Sequence, residues 1–274
     1  MKGLEAALGF ASHTDPGMVR SNNEDSVFVG PHLGLAILAD GMGGANAGEV
    51  ASGMATTLLA TDLKQTLTGL ALADAGSNGE SRAFGVLRDK IAVANNSIFR
   101  AAESQPQYSG MGTTLVVALF YGDRMAVAHI GDSRLYRWRA GTLTQLTRDH
   151  SFLQLQLDAG VITPEEARGS KHKNLVTRML GVDAEVEPEI HEHRVQQGDI
   201  YVLCSDGLHD MVAEHDVALT LGAPAANLEV AARQLIQMAN DNGGKDNVSV
   251  ILVRIVQDMT PPKGWWRRLL ASLK

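Results

Sequence analysis

Cysteine, aromatic side chains, basic excess and long apolar runs are all scarce in this 274-residue chain, and each scarcity removes a class of protein. The one cysteine, Cys204, excludes an intramolecular disulfide and any zinc site built on several thiolates, which fits a reducing compartment. A formal net charge of −7 argues against a nucleic-acid-binding surface over most of the chain. The longest obvious apolar run, residues 114–121, falls far short of the roughly 20 residues that span a bilayer. The amino-terminal stretch, with an early lysine, a glutamate and a short apolar segment, does not read as a signal peptide. Tryptophan is so sparse that two of the three standing together, Trp265 and Trp266, mark the carboxyl-terminal segment as chemically distinct. The remainder, 45% apolar and 20% charged, suits a soluble cytoplasmic protein of one large or two small domains, expected to be a monomer.

Strand-sized runs rich in Val, Ile and Leu recur at 26–30, 33–40, 113–120, 124–132, 133–139, 199–206 and 247–256, each bounded by Gly, Asp or Asn. Between 45 and 102 the pattern changes to Ala and Leu at helical spacing, broken by a polar stretch at 74–81. That reads as two helices and a mobile connection, and another helix is expected over 227–240. Short links between strands favour antiparallel pairing, with the helices packed outside the sheets. Residues 147–181 stand apart as polar, with short helices. Their TPEEA places Thr163 as N-cap, Pro164 at the first helical position and Glu166 where a capping box needs it. This segment reads either as an inserted lobe covering a site or as a plain surface excursion.

The run into Gly41, Gly43 and Gly44 raises the question of a phosphate-cradling loop. The spacing denies it: Asn46 stands where G-x-G-x-x-G needs glycine, and no Gly-Lys-Ser/Thr opens the following helix. Asp40, an acid at the end of a buried strand, is then the residue to explain. Asp25 precedes the neighbouring strand, so a hairpin would bring both acids to one sheet edge. Asp206 closes one strand and Asp246 precedes another, with the same consequence if those strands pair. Asp132 adds a carboxylate in a tight turn. Any one of these is ordinarily a turn former; the repetition at strand mouths is what points to chemistry. Carboxylates so gathered would repel one another unless a cation sat between them. Oxygen ligands suit Mg²⁺ or Mn²⁺, and two such ions about 4 Å apart can share a water and lower its pKa. Arg20, five residues before Asp25, supplies a guanidinium able to grip two phosphate oxygens.

The segments RSNNED (20–25), ADGMGG (39–44), GMGTTLV (110–116), AHIGDSRLY (128–136), LTRDHS (146–151), NLVTRMLG (174–181), SDGLHD (205–210) and DNVSVIL (246–252) occur in one order. In that order the chain resembles the metal-dependent protein phosphatases of type 2C, the PPM family, and most of all its bacterial branch, over roughly residues 9 to 256. The resemblance implies an α+β fold, an αββα sandwich of two antiparallel sheets flanked by helix pairs. It implies a catalytic domain over 1–257, with 147–181 as a mobile flap, and a Mn²⁺- or Mg²⁺-dependent phosphoserine/phosphothreonine phosphatase that opposes Ser/Thr kinases in signalling. Carried over by position, Asp40 would bridge two ions, the carbonyl of Gly41 would bind the second, and Asp206 and Asp246 would complete the first. Glu24 and Asp25 would hold metal-bound water, Arg20 would bind the substrate phosphate, and Asp132 with Asp206 would form a third, weaker site. A bridging hydroxide would displace the Ser or Thr alkoxide directly, without a phosphoenzyme. Phosphorylated proteins and a Hanks-type kinase are the implied partners. Met42 departs from the animal pattern, where a histidine protonates the leaving alkoxide; methionine cannot donate that proton.

Other chemistries are weaker. The arginine a cysteine phosphatase needs six residues after Cys204 is Asp210, so Cys204 reads as a buried strand residue. Ser133 in GDSR lacks the accompanying carboxyl-terminal Asp-x-x-His of a serine hydrolase. His191 and His193 would share one face of a strand, but with no third ligand near in sequence a solvated edge is the better reading. Two further functional readings stand beside the main one. One is a binding module that recognises phosphoproteins without turnover, against which the complete acidic set argues. The other is a stress-response phosphatase acting on one small regulator, against which the long 147–181 segment argues. Finally, residues 258–274 read as a basic amphipathic tail. After Pro261 and Pro262, Trp265, Trp266, Leu269, Leu270 and Leu273 share a helical face, while Arg267, Arg268 and Lys274 point away. This tail is a candidate for docking on an anionic membrane surface or a partner, which would place the protein peripherally at the inner face of the membrane; packing on the parent domain is the alternative.

Overall fold

Alternation along the central strands decides the architecture. A computed structural model describes residues 4–44, 47–67, 72, 81–168, 175–223 and 227–259. In chain order the elements are α1 (Leu4–Ala7), β1 (Leu8–Asp15), β2 (Asp25–Gly30), β3 (Leu35–Met42), α2 (Ala47–Leu67), α3 (Arg82–Ser104), β4 (Gly112–Thr113), β5 (Leu115–Tyr121), β6 (Arg124–Ile130) and β7 (Arg134–Arg139). They continue with β8 (Thr142–Gln145), α4 (Phe152–Asp158), α5 (Pro164–Arg168), β9 (Glu189–Arg194), β10 (Ile200–Cys204), α6 (Asp206–His209), α7 (Glu214–Gly222), α8 (Leu228–Asp241) and β11 (Val248–Ile255). One antiparallel sheet runs β1-β11-β10-β7-β8; the other runs β2-β3-β5-β6-β9, with short β4 against β3.

Successive side chains of a strand face opposite ways, so strands buried on both faces serve two cores at once. On β3, Leu35, Ile37 and Ala39 pack with α2 and α3, while Ala36 and Leu38 join the layer between the sheets. On β10 and β11, Val202, Cys204, Val250 and Leu252 pack with α7 and α8, whereas Tyr201, Leu203, Ile251 and Val253 face the other sheet. Phe120 and Tyr201 meet across that middle layer edge to face, with centroids 5.4 Å apart. The result is the expected αββα sandwich, and Cys204 is buried in a strand as expected. Strands β1 and β8 are additions to the sequence reading; both lie at sheet edges, where polar residues dilute the apolar pattern.

Between β8 and β9 the chain makes its long excursion. Its two arms are joined by the amide of Phe152 on the carbonyl of Leu175 (2.8 Å) and that of Thr177 on His150 (2.8 Å), and the His150 amide ties it to the body through the Gly131 carbonyl (2.9 Å). A reciprocal pair of bonds joins Thr113 to Leu180. Arg134 on β7 grips Asp149 with two nitrogens, Nε to Oδ1 at 2.9 Å and Nη2 to Oδ2 at 2.7 Å. The capping box forms: the Thr163 amide donates to Glu166 Oε2 (2.8 Å) and the Glu166 amide to Thr163 Oγ1 (3.3 Å). Of the polar connection at 74–81 only Ser81 is described, and the Trp265–Arg268 segment of the tail lies outside the described residues. No helix among the described residues is long and apolar enough to cross a membrane.

Candidate active site

The hairpin of β2 and β3 pairs Asp25 directly with Asp40, at the end where the middle layer of the sandwich opens. Asp40 continues the Ala36 and Leu38 face of β3, so its carboxylate stands at the mouth of the space between the sheets. The opposite sheet supplies the rest. β10 and β11 are antiparallel neighbours, with Cys204 opposite Val250, so Asp206 just after β10 and Asp246 just before β11 come to the same edge. Asp132, 5% exposed, sits in the turn from β6 to β7.

The acids are held from behind by backbone and hydroxyl contacts. The Asp40 amide donates to Thr114 Oγ1 (3.0 Å), and the Asp40 carbonyl accepts from the Thr114 amide (2.8 Å) and the Thr113 hydroxyl (2.9 Å). Thr114 Oγ1 also lies 2.7 Å from Ser133 Oγ, which ties the Asp40 strand to the turn carrying Asp132. Ser205 Oγ donates to Asp25 Oδ2 at 2.8 Å. Asn247 is a clamp: its Oδ1 accepts the Glu24 amide (2.8 Å) while its Nδ2 donates to the carbonyls of Pro16 (3.0 Å) and Asn22 (2.8 Å). These supporting residues escaped the sequence reading; a polar residue next to an acid is the only signal they carry.

Gly41 sits where the two halves meet. Its amide donates to the Glu24 carbonyl (3.1 Å), and a Cβ there would stand 2.0 Å from the Gly48 carbonyl oxygen. Only glycine permits α2 to approach β3 that closely. Glu24 lies against the start of α2, where an amide of Gly48 helps hold its carboxylate.

Burial and mutual repulsion dominate the electrostatics. Burial pushes the carboxyls of Asp25 and Asp132 up to about 6, and burial followed by neighbouring carboxylates holds Asp40 and Asp206 well above the ordinary range. Asp25 Oδ1 is buried with no hydrogen-bond partner. A basin of this kind, with an orphaned carboxylate oxygen and several acids that resist ionising together, fits hard divalent cations. Among the described residues no three of these acids bring ligand atoms within 4.8 Å of one another. That spread suits ions that keep several waters and take few carboxylates each.

Arg20 is at the basin but turned onto an acid: its Nη2 donates to Asp246 Oδ2 at 2.7 Å, with the side chain half exposed. Asp246 raises the pKa of this guanidinium above its usual value. Beside the basin lies a cavity of about 220 Å³, walled by Asp132, Asp206, His209 and Asp210 on one side and by Leu153 and Leu157 of α4 on the other.

The fold and this carboxylate basin define a metal-dependent phosphatase architecture, and a family model described as protein phosphatase 2C matches residues 12–247. The chain belongs to the protein phosphatase 2C family. It is 41% identical over 256 residues to the serine/threonine protein phosphatase PstP of Mycobacterium tuberculosis, which covers 93% of this chain and 46% of PstP; the chain thus spans about half of that relative. It is 40% identical over 250 residues to the serine/threonine phosphatase stp of Listeria monocytogenes, covering 90% of this chain and 95% of the relative. The crystal structure of M. tuberculosis PstP/Ppp superposes with a TM-score of 0.81 at 40% identity, covering 91% of this chain and 99% of that one. The PstP catalytic domain in complex with two manganese ions gives a TM-score of 0.78 at 40% identity, with the same coverage of 91% and 99%.

Proposed function

We propose that the protein hydrolyses phosphoserine and phosphothreonine in proteins with Mn²⁺ or Mg²⁺, opposing a Ser/Thr kinase. The observation that carries this reading is the meeting of Asp25, Asp40, Asp132, Asp206 and Asp246 at one mouth of the sandwich, with Asp25 Oδ1 left unpartnered. When bound, the ions supply Lewis acidity and lower the pKa of water beside the phosphate. Asp40, at the mouth between the two sheets, would be a ligand shared by the ions. Asp206 and Asp246 serve the side of the β10–β11 sheet, and the Gly41 carbonyl serves the other side. Glu24 and Asp25 accept hydrogen bonds from water in the basin, and Asp132 with Asp206 forms the weaker third cation position. Arg20, which now donates to Asp246, would turn its fork to two oxygens of the substrate phosphate. The excursion over 147–181 acts as the flap, and the cavity under α4 leaves room for residues flanking the phosphorylated one. Met42 offers no proton, so the leaving alkoxide takes its proton from water.

Hydrolysis of a phosphothreonine peptide tests this reading with Mn²⁺, with chelator and with Asp40→Asn. Activity only in the first condition is expected; activity surviving both changes would end the account, and binding without turnover under any metal would favour a phosphoprotein-binding module. The 258–274 tail, through Trp265, Trp266, Arg267 and Arg268, is proposed to dock peripherally on anionic membrane. Liposome co-sedimentation of the full chain against a version ending at Asp258 should show the difference, and equal binding by both would remove this role.

A further inference from the structure

A second polar cluster, outside the carboxylate basin, is built around His129, whose Nδ1 has no hydrogen-bond partner. Strand β9 pairs with β6 so that Glu189 lies opposite His129 and His191 opposite Val127, which places Glu189, His191 and His129 on one face. His150, at the root of the excursion, stacks on His129 with ring centroids 4.9 Å apart and 19° between planes. His129, His150 and Glu189 each bring a possible ligand atom within 4.8 Å of the others, the only such group of three among the described residues.

His129 is fully buried, and its Nδ1 has no hydrogen-bond partner. Its Nε2 lies 2.8 Å from the Arg148 carbonyl, while the Arg148 amide donates toward the same nitrogen at a longer 3.3 Å; the shorter contact is satisfied in the tautomer with the ring proton on Nε2. In that tautomer Nδ1 presents a lone pair in a dry site, and in either tautomer it is a buried polar atom without a partner, the kind that calls for an occupant. Burial holds both His129 and His150 below the usual imidazole range, in the neutral form that ligates metals. Glu189 is oriented from outside by His191, whose Nε2 is 2.6 Å from Oε1. Such an outer partner is a regular companion of metal-ligating groups.

We propose that His129, His150 and Glu189 form a binding site for a transition-metal ion of the zinc class, distinct from the carboxylate basin, with His191 orienting Glu189. Two imidazoles and a carboxylate, with a fourth position open to water, are a zinc or cobalt ligand set, not a magnesium one. Tetrahedral ligand atoms lie about 3.3 Å apart at zinc bond lengths, so the site closes on loading. The movement falls to His150, whose ring hydrogen bonds are both long: 3.2 Å from the Gly131 amide to Nδ1 and 3.4 Å from Nε2 to Glu189 Oε2. Its ring turns out of the stack and exchanges these for one metal bond. The ion then pins the root of the excursion to β6, the strand that leads into Asp132. None of the basin's acids takes part, so this inference stands or falls apart from the phosphatase reading.

The test titrates the full chain with Co²⁺ in saturating Mg²⁺, which occupies the oxygen-ligand basin. The expected result is one equivalent of Co²⁺ showing the strong visible absorption of a four- or five-coordinate nitrogen-ligated ion, displaced by Zn²⁺ and retained in Asp40→Asn. Glu189→Gln, a change at a partly exposed side chain, removes the signal, and His191→Ala weakens Co²⁺ binding about tenfold or more. Absence of the absorption in the unmodified protein overturns the proposal, as does a signal kept in Glu189→Gln or lost in Asp40→Asn.

Discussion

Arg20 and Asn247 show how much of the site rests on single side chains that touch it from the side. Arg20 spends its charge on Asp246 in this structure, yet it is the one guanidinium of the RSNNED segment at the basin. Replacing it with Ala should leave Mn²⁺ binding intact and raise KM for a phosphopeptide roughly ten- to a hundredfold, the worth of a charged hydrogen-bonding group. An unchanged KM in steady-state kinetics would remove Arg20 from phosphate binding. Asn247 makes three backbone bonds that hold the segment from Pro16 to Glu24. Asn247→Ala removes three part-buried bonds and should cost about 1–3 kcal/mol in denaturant unfolding, with a higher KM because Arg20 loses its mount. The acids themselves were readable as residues, since Asp at repeated strand mouths is visible in the chain. Thr114, Ser205 and Asn247 were not, because nothing local distinguishes a hydroxyl or amide that will meet an acid from one that faces water.

At the scale of elements, the joints are close approaches that a single methyl group would block. Gly181 adopts a φ of +85°, and a Cβ there would sit 2.3 Å from Ile98 Cγ2. The same joint is held by Asn95 of α3, whose Oδ1 accepts the Gly181 amide at 2.7 Å while Nδ2 donates to the carbonyls of Asp183 and Ala184. Asn95→Ala should therefore cost about 1–3 kcal/mol and loosen the end of the excursion, seen as faster proteolytic cleavage between β8 and β9. Gly41→Ala should likewise destabilise by about 1–3 kcal/mol or more, because neither the Gly48 nor the Glu24 carbonyl can yield without moving α2. The central strands were legible from their apolar runs. β1 and β8 were not, since an edge strand with residues such as Ser12, His13, Thr142 and Thr144 hides its pairing in a polar pattern.

For the whole molecule, the basin couples stability to pH and to metal. Asp25 and Asp132 titrate near about 6, and Asp40 and Asp206 above the ordinary range, whereas the carboxyls of an unfolded chain titrate near about 4. The folded, ion-free protein thus binds more protons than the unfolded chain, and its stability falls as pH rises from about 4 through about 6 and beyond. Mn²⁺ should cancel that fall by neutralising the basin, and at a hundred times its dissociation constant it should add about 2.7 kcal/mol. Thermal unfolding between about pH 5 and 8, with chelator and with Mn²⁺, checks both signs; parallel curves would show that the acids are not coupled to the ions.

Taken alone, the chain determined the residue chemistry: which acids stand at strand mouths and where helices replace strands. It did so because periodicity and turn residues act over a few positions. Tertiary structure alone decided what meets across the sandwich. Asp25 and Asp40 needed only a hairpin to meet. Their opposition to Asp206 and Asp246 needed two sheets stacked face to face, and the convergence of His129, His150 and Glu189 needed β9 to pair with β6 and the excursion to return to its root. Those meetings depend on register and packing between segments far apart in the chain, and local sequence carries no record of either.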